Sequence, residues 1–175
     1  MSDLTFRIAA LDDLPALHAL IERAYRGDSA RLGWTHEADL LGGQRTDLED
    51  LTAILTDPGR VMLLASRDDA LVGCVQLADE GDGLAYLGML SIEPSLQAAG
   101  LGRALVTAAE AEVVRRFDAD RMRMTVIRQR TELIAWYERR GYVLTGAEAP
   151  FPMDDERFGL PKRRDLAFVV MEKAL

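Results

Sequence analysis

The segment Gln97-Ala98-Ala99-Gly100-Leu101-Gly102-Arg103 follows an apolar run ending Leu90-Ser91-Ile92 and opens a stretch of helical periodicity. A helix starting here has backbone N–H groups with no intrahelical partner, at the positive end of its dipole. An anion suits that position. Glycines at 100 and 102 allow unusual dihedrals and remove Cβ atoms from the path of a bulky pyrophosphate. Plain turn chemistry remains an alternative for this segment taken alone. Two phosphate-binding classes are excluded. No Gly-Lys-Ser/Thr follows, so it is not a P-loop. A third glycine is missing and the preceding strands form a meander, so it is not a dinucleotide fingerprint.

A second group lies in Gly33–Asp47, where Trp34 stands near Glu37 and Asp39. An aromatic face with a carboxylate suits an ammonium ion. A capped surface turn is the competing reading. His36, Glu37 and Asp39 have one histidine among them, too few to imply a metal. No metal is expected. Cys74 sits inside the apolar run Leu71–Leu77 and reads as a small buried hydrophobe.

The elements that must position these residues follow from periodicity. Phe6–Ala10 reads as a strand. Asp12 caps a helix whose stripe is Leu14, Leu17, Ile21 and Tyr25, with His18 beside it. A polar loop runs over 26–45. Thr46 and Glu49 have capping-box spacing before a stripe of Leu48, Leu51 and Leu55, which Asp57-Pro58-Gly59 ends. Val61–Ala65, Leu71–Leu77 and Leu84–Ile92 form an antiparallel meander. Leu101, Leu105, Ala109, Val113 and Phe117 mark one long helix. Met122–Val126 alternates like a strand. A helix from Thr131 carries Leu133, Ile134 and Tyr137, with Arg139 and Arg140 at its negative end and Gly141 as its stop. Tyr142–Thr145 and Leu166–Lys173 are the last strands, separated by a loop with Pro150, Pro152, Gly159 and Pro161. The order βααβββαβαββ predicts an α+β class, a mixed, mostly antiparallel twisted sheet flanked by helices.

Bulk properties set the frame. The chain has 175 residues, enough for a sizeable core, and shows no repeat or Gly/Ser linker. One domain over 1–175 is expected. A single cysteine permits no internal disulfide, which fits a cytoplasmic protein. The stretch from Met1 to Arg7 lacks a basic block followed by an apolar one, and no apolar run reaches the roughly 18 to 20 residues of a membrane span. A net charge of −8 disfavours nonspecific nucleic-acid binding.

The cradle also resembles a known signature. Gln-x-x-Gly-x-Gly, after a strand ending Leu90-Ser91-Ile92-Glu93-Pro94, is similar to the acetyl-CoA motif of the GNAT N-acetyltransferases. Thr131–Gly146 resembles that family's later block, a helix with a tyrosine near its end followed by Gly-aromatic and a strand. The element order agrees from about Phe6 to Lys173. The resemblance implies that Leu84–Ile92 splays from a parallel neighbour and receives the pantetheine arm. It implies coenzyme contacts from Leu90, Ser91 and Ile92, and from Gln97, Ala98, Ala99, Gly100, Leu101, Gly102 and Arg103. The N–H of Leu90 would face the thioester oxygen. Relatives often place a basic residue mid-motif where this chain has Ala98 and Ala99, so Arg103 is the local charge; a solvated helix residue is its other reading. Tyr137 matches the general acid that protonates the leaving thiolate. Arg130 stands where relatives often have asparagine, and could contact coenzyme phosphates or simply be solvated.

The resemblance leaves the general base open among Glu80, Glu37 and a carboxylate acting through water. Trp34, Glu37 and Tyr86 are the expected acceptor-pocket residues. The segment Gly146–Pro161, with Phe151 and Phe158, either closes that pocket or packs on a second copy as a homodimer. The implied activity is acetyl transfer from acetyl-CoA to a primary amine, the acceptor being a small molecule. A coenzyme A-binding sensor without catalysis and a protein or peptide N-acetyltransferase are the alternatives.

Overall fold

The computed structural model describes residues 3–175; Met1 and Ser2, the start of the segment read for a leader, lie outside the described residues. The strands are β1 (Leu4–Ile8), β2 (Leu41–Gly42), β3 (Arg60–Arg67), β4 (Ala70–Asp79), β5 (Leu84–Ile92), β6 (Arg121–Ile127), β7 (Val143–Pro150), β8 (Leu160–Pro161) and β9 (Ala167–Ala174). The helices are α1 (Leu14–Tyr25), α2 (Gly27–Ala30), α3 (Leu48–Thr56), α4 (Leu101–Phe117) and α5 (Thr131–Glu138).

The chain is α+β. Seven strands form one mixed, mostly antiparallel sheet in the order β1-β3-β4-β5-β6-β9-β7. Among the described residues only β5 and β6 run parallel. Alternation along β3 shows why both faces need helices. Leu63 and Ala65 enter a core with Leu105, Val106, Ala109 and Val113 of α4. Met62 and Leu64 enter another with Leu17, Leu20 and Ile21 of α1 and Leu51 and Ile54 of α3. Cys74 lies wholly in this second core. No helix among the described residues is long and apolar enough to cross a membrane.

Local departures from the sequence reading have local causes. The first strand is Leu4–Ile8, shifted toward the N-terminus from Phe6–Ala10. Asp13, not Asp12, anchors the entry to α1: its carboxylate accepts from Ala10 N–H at 2.7 Å and pairs with Arg7. The start of α3 is capped one residue later than the Thr46–Glu49 box. Asp47 accepts from Asp50 N–H at 2.7 Å, and Thr46 bonds the Asp50 carboxylate. The 26–45 loop contains α2 and β2. β7 runs on to Pro150, so the following loop is shorter. β8 then pairs with β2, Leu41 opposite Pro161 and Gly42 opposite Leu160, a long-range pairing that no local pattern announces.

The feature that makes the site is a wedge in the sheet. β5 and β6 pair only at Leu84–Arg121, Ala85–Met122 and Tyr86–Arg123. Beyond them, β5 stays with β4 while β6 stays with β9. The β4–β5 register slips between Cys74 and Gln76, and Met89 takes a positive φ of 49° within the slip. A bulge bends its strand and increases local twist, which turns the end of β5 away from β6.

Candidate active site

The wedge opens into two cavities. The first, of about 310 Å³, lies toward the start of α4; the second, of about 240 Å³, lies toward β6 and β9. Tyr25, Leu90, Arg130, Leu133 and Tyr137 line both, so the cavities meet at a shared wall.

The first cavity ends at the cradle. Ala98 and Gly100 have φ of 67° and 80°. Gly100 offers no side-chain cap, and the first main-chain bond of α4 is Ala104 N–H to the Gly100 carbonyl at 3.1 Å. The N–H groups of Leu101, Gly102 and Arg103 therefore precede the helical ladder. A Cβ on Gly102 would lie 3.4 Å from the Trp136 ring, so a branched side chain there fills the space between helix and tryptophan. This arrangement can hold an anion by backbone N–H groups, helix dipole and Arg103. Gln97 fixes the turn: its amide donates to the Ile92 carbonyl and accepts from Thr35 N–H, both at 3.4 Å. Of the other cradle residues, Ala99 is exposed and Leu101 turns its side chain into the core.

Arg140 is a cavity residue that sequence reasoning assigned only to a helix end. Its guanidinium stacks 3.9 Å from the Trp136 ring centroid and donates to the Trp136 carbonyl at 2.8 Å. Burial lowers its pKa, with Arg139 and Arg103 adding repulsion. Arg103 and Arg140 both line the first cavity, which therefore carries two cations beside a motif with alanines at its middle positions. Trp34 is one of the residues expected at the acceptor pocket. It lines the first cavity, with its ring centroid 6.2 Å from that of Trp136, and is not among the residues of the second.

At the shared wall, Tyr25 donates from its hydroxyl to the Leu90 carbonyl at 2.8 Å. Burial pushes the Tyr25 phenol up to about 12. Burial also drives the Tyr137 phenol far up, so it stays protonated through neutral pH. Ser91 lies between the cavity residues Leu90 and Ile92 but turns its hydroxyl to the Met89 carbonyl at 2.9 Å, and its side chain lines neither cavity.

Glu37 and Arg130 are brought together rather than placed on different ligands. The Glu37 carboxylate accepts from Arg26 at 2.6 Å and from Arg130 at 3.1 Å, and all three side chains are buried. Arg130 also donates to Thr35 Oγ1 at 2.8 Å, and Arg26 to the Phe158 carbonyl at 3.2 Å. Burial alone would raise the Glu37 pKa; Arg130, Arg26 and Arg45 more than reverse this and hold it below the usual range. The expectation of a carboxylate free to take a proton or hold an ammonium is revised: both oxygens are committed and basicity is reduced. Glu80 lies elsewhere, near Arg123 at 3.8 Å at the closed end of the wedge. Tyr86 does line the second cavity, its hydroxyl 3.0 Å from Thr125 Oγ1. His36, Glu37 and Asp39 diverge: His36 Nδ1 accepts from Ala38 N–H and Asp39 pairs with Arg31.

The segments that flank the second cavity are tied together by the β2–β8 pairing and by Lys162, whose ammonium donates to the Ala38 carbonyl at 2.6 Å. Phe158 lines it from the segment before β8 and Arg45 from the segment after β2.

Residues 15–142 match the acetyltransferase (GNAT) family. No curated protein sequence matches the chain. Among solved structures, yncA of Salmonella typhimurium with its cofactor acetyl-CoA superposes with a TM-score of 0.71 at 20% identity, covering 99% of this chain and 95% of that one. A chimeric spermidine N-acetyltransferase from Vibrio cholerae gives 0.71 at 18% identity, covering 99% and 96%. The ribosomal-protein-S18-alanine N-acetyltransferase of Escherichia coli gives 0.70 at 16% identity, covering 98% and 94%.

Proposed function

Because the chain belongs to the GNAT acetyltransferase family, we propose that it transfers an acetyl group from acetyl-CoA to a primary amine of a small molecule, by direct attack in a ternary complex. The observation that carries this reading is the wedge: a strand edge freed by the β5–β6 divergence, with an anion cradle at one end and Tyr137 where the two cavities meet.

Acetyl-CoA supplies an activated thioester. Its pyrophosphate fits the N–H groups of residues 98–103, with Arg103 and Arg140 as counter-charges. Its extended arm fits alongside Leu90 and Ile92. Tyr25 occupies the Leu90 carbonyl, and the Leu90 N–H is the donor assigned to the charge that develops on the acetyl oxygen. Tyr137 holds a proton at the sulfur as the C–S bond breaks. Nitrogen forms one bond to the acetyl carbon and loses one proton; sulfur leaves with the bonding pair and gains one. An acceptor arriving as ammonium releases one further proton to solvent.

No dedicated carboxylate base is assigned. Among the described residues Glu37 is the one carboxylate lining either cavity, and it serves to position Arg130. The cations at the second cavity favour the neutral amine over ammonium, so proton removal falls to water. Pro152 and Phe158, which line the second cavity from the segment after β7, support a compact acceptor over an extended peptide, which needs an accessible strand edge or groove.

The test has two arms. Acetyl-CoA is expected to raise the melting temperature, and a mixed panel of small primary amines to release free thiol with at least one member. Stabilisation without turnover of any amine would reduce the protein to a coenzyme A-binding sensor.

A further inference from the structure

The second cavity has a charge that a simple amine does not explain. Arg45 and Arg130 line it with Glu37, and Arg26 stands behind Glu37. Three guanidiniums therefore face one carboxylate, and both oxygens of that carboxylate are taken by Arg26 and Arg130. The Nε atoms of Arg26 and Arg130 are buried with no hydrogen-bond partner. Arg45 makes no ion pair among the described residues. Its guanidinium lies 5.1 Å from the centroid of Tyr25, at the shared wall, and Arg45 also borders a separate depression with Asp47, Glu49, Asp50 and Arg157. A partly buried guanidinium that no carboxylate pairs with is a ready partner for an anionic group of a ligand.

The remaining wall is mostly apolar. Leu87, Met124, Val126, Phe158 and Phe168 line it, and the Tyr86 and Thr125 hydroxyls there lie within bonding distance of each other. An acceptor that fills about 240 Å³ beside such walls has a side chain of modest size.

We propose that the acceptor is a primary amine that also carries a carboxylate and an apolar side chain, the chemical class of the α-amino acids with apolar side chains. The carboxylate pairs with Arg45, the side chain takes the apolar wall, and the amine faces Leu90 and Tyr137. The proposal rests on the acetyl-transfer reading above and narrows its acceptor. A polyamine, with several positive charges, would meet Arg45 and Arg130 as like charges.

The experiment measures kcat/KM for thiol release from acetyl-CoA. Leucine, methionine and phenylalanine are compared with their amides, their decarboxylated amines and spermidine. The acid-bearing members are expected to be preferred by about 10- to 100-fold, the range for a hydrogen bond to a charged group. Arg45→Gln is expected to collapse that preference to near equality, and Arg45→Lys to restore part of it. Stabilisation of each variant by acetyl-CoA checks that it is folded.

Equal or better use of acid-lacking amines or spermidine overturns the proposal and leaves acetyl transfer standing. So does a preference that survives Arg45→Gln. Stabilisation by acetyl-CoA with no acid-bearing amine acetylated also overturns it. If acetyl-CoA gives no melting shift and no amine of any kind is acetylated, the underlying reading fails and the proposal with it.

Discussion

Replacing Glu37 by glutamine removes the negative charge on which two buried arginines depend. Glu37 is 7% exposed, and Arg26 and Arg130 are each 6% exposed. The amide keeps the shape but cannot neutralise either guanidinium, and both already carry an unpartnered Nε. Breaking a buried pair by removing one partner costs about 3–5 kcal/mol. For a chain of this length, about 2–4 °C of melting temperature is lost per kcal/mol, so a fall of roughly 6–20 °C is expected. Thermal unfolding in the absence of ligand measures the shift, and urea unfolding the free energy. Combining Glu37→Gln with Arg130→Met should cost less than the sum of the two single changes, because the second change removes a charge the first orphaned. The sign with pH is fixed by the lowered folded-state pKa. The stabilisation is fully present above the unfolded-state pKa and is lost as pH falls through the folded-state value. Wild type should therefore lose stability in acid that the glutamine variant never had. The kinetic counterpart separates positioning from proton removal: the rising acidic limb of the pH–rate profile should persist in Glu37→Gln. A stability change within about 0.5 kcal/mol, the range of a surface substitution, would refute the buried-triad account, and loss of the acidic limb would restore Glu37 as the base.

Gly102→Val should remove most of the stabilisation by acetyl-CoA, which at about 100 times the dissociation constant amounts to about 2.7 kcal/mol in wild type; a thermal shift equal to wild type would mean the cradle is not the anion site. Tyr137→Phe should keep that shift while lowering single-turnover acetyl transfer by about 10²-fold, whereas an unchanged rate would make Tyr137 a packing residue. Cys74 is wholly buried and burial pushes its thiol up to about 12, so iodoacetamide at pH 8 should label it only after unfolding; rapid labelling of the native protein would contradict the core packing.

Local signals carried much of the fold. The four-residue repeat from Leu101 to Phe117 and the alternation of Met122–Val126 reflect burial against a neighbour, and the corresponding elements are α4 and β6. Gly100 and Gly102 marked the cradle because backbone conformation and close approach are local demands. The wedge was read only through the family resemblance: the register slip opposite Cys74 and Gln76 depends on pairing between strands, and the one local sign of it is Gly88 inside β5, at the edge of the slip. The β2–β8 pairing joins residues about 120 apart, too far for any periodicity to report. Arg140 was hidden by a sufficient local explanation, the helix dipole, until its stacking on Trp136 placed it at the first cavity. Glu37 was the instructive case. Its proximity to Trp34 in sequence suggested an ammonium site, whereas folding brings Arg130 from 93 residues away to occupy it.

The most direct measurement is a crystal structure with acetyl-CoA bound. The account predicts the pyrophosphate on the backbone N–H groups of residues 98–103, the arm along Leu90 and Ile92, and the sulfur beside Tyr137 where the two cavities meet. Coenzyme bound away from the β5–β6 wedge, or a thioester lying far from Leu90 and Tyr137, would contradict it.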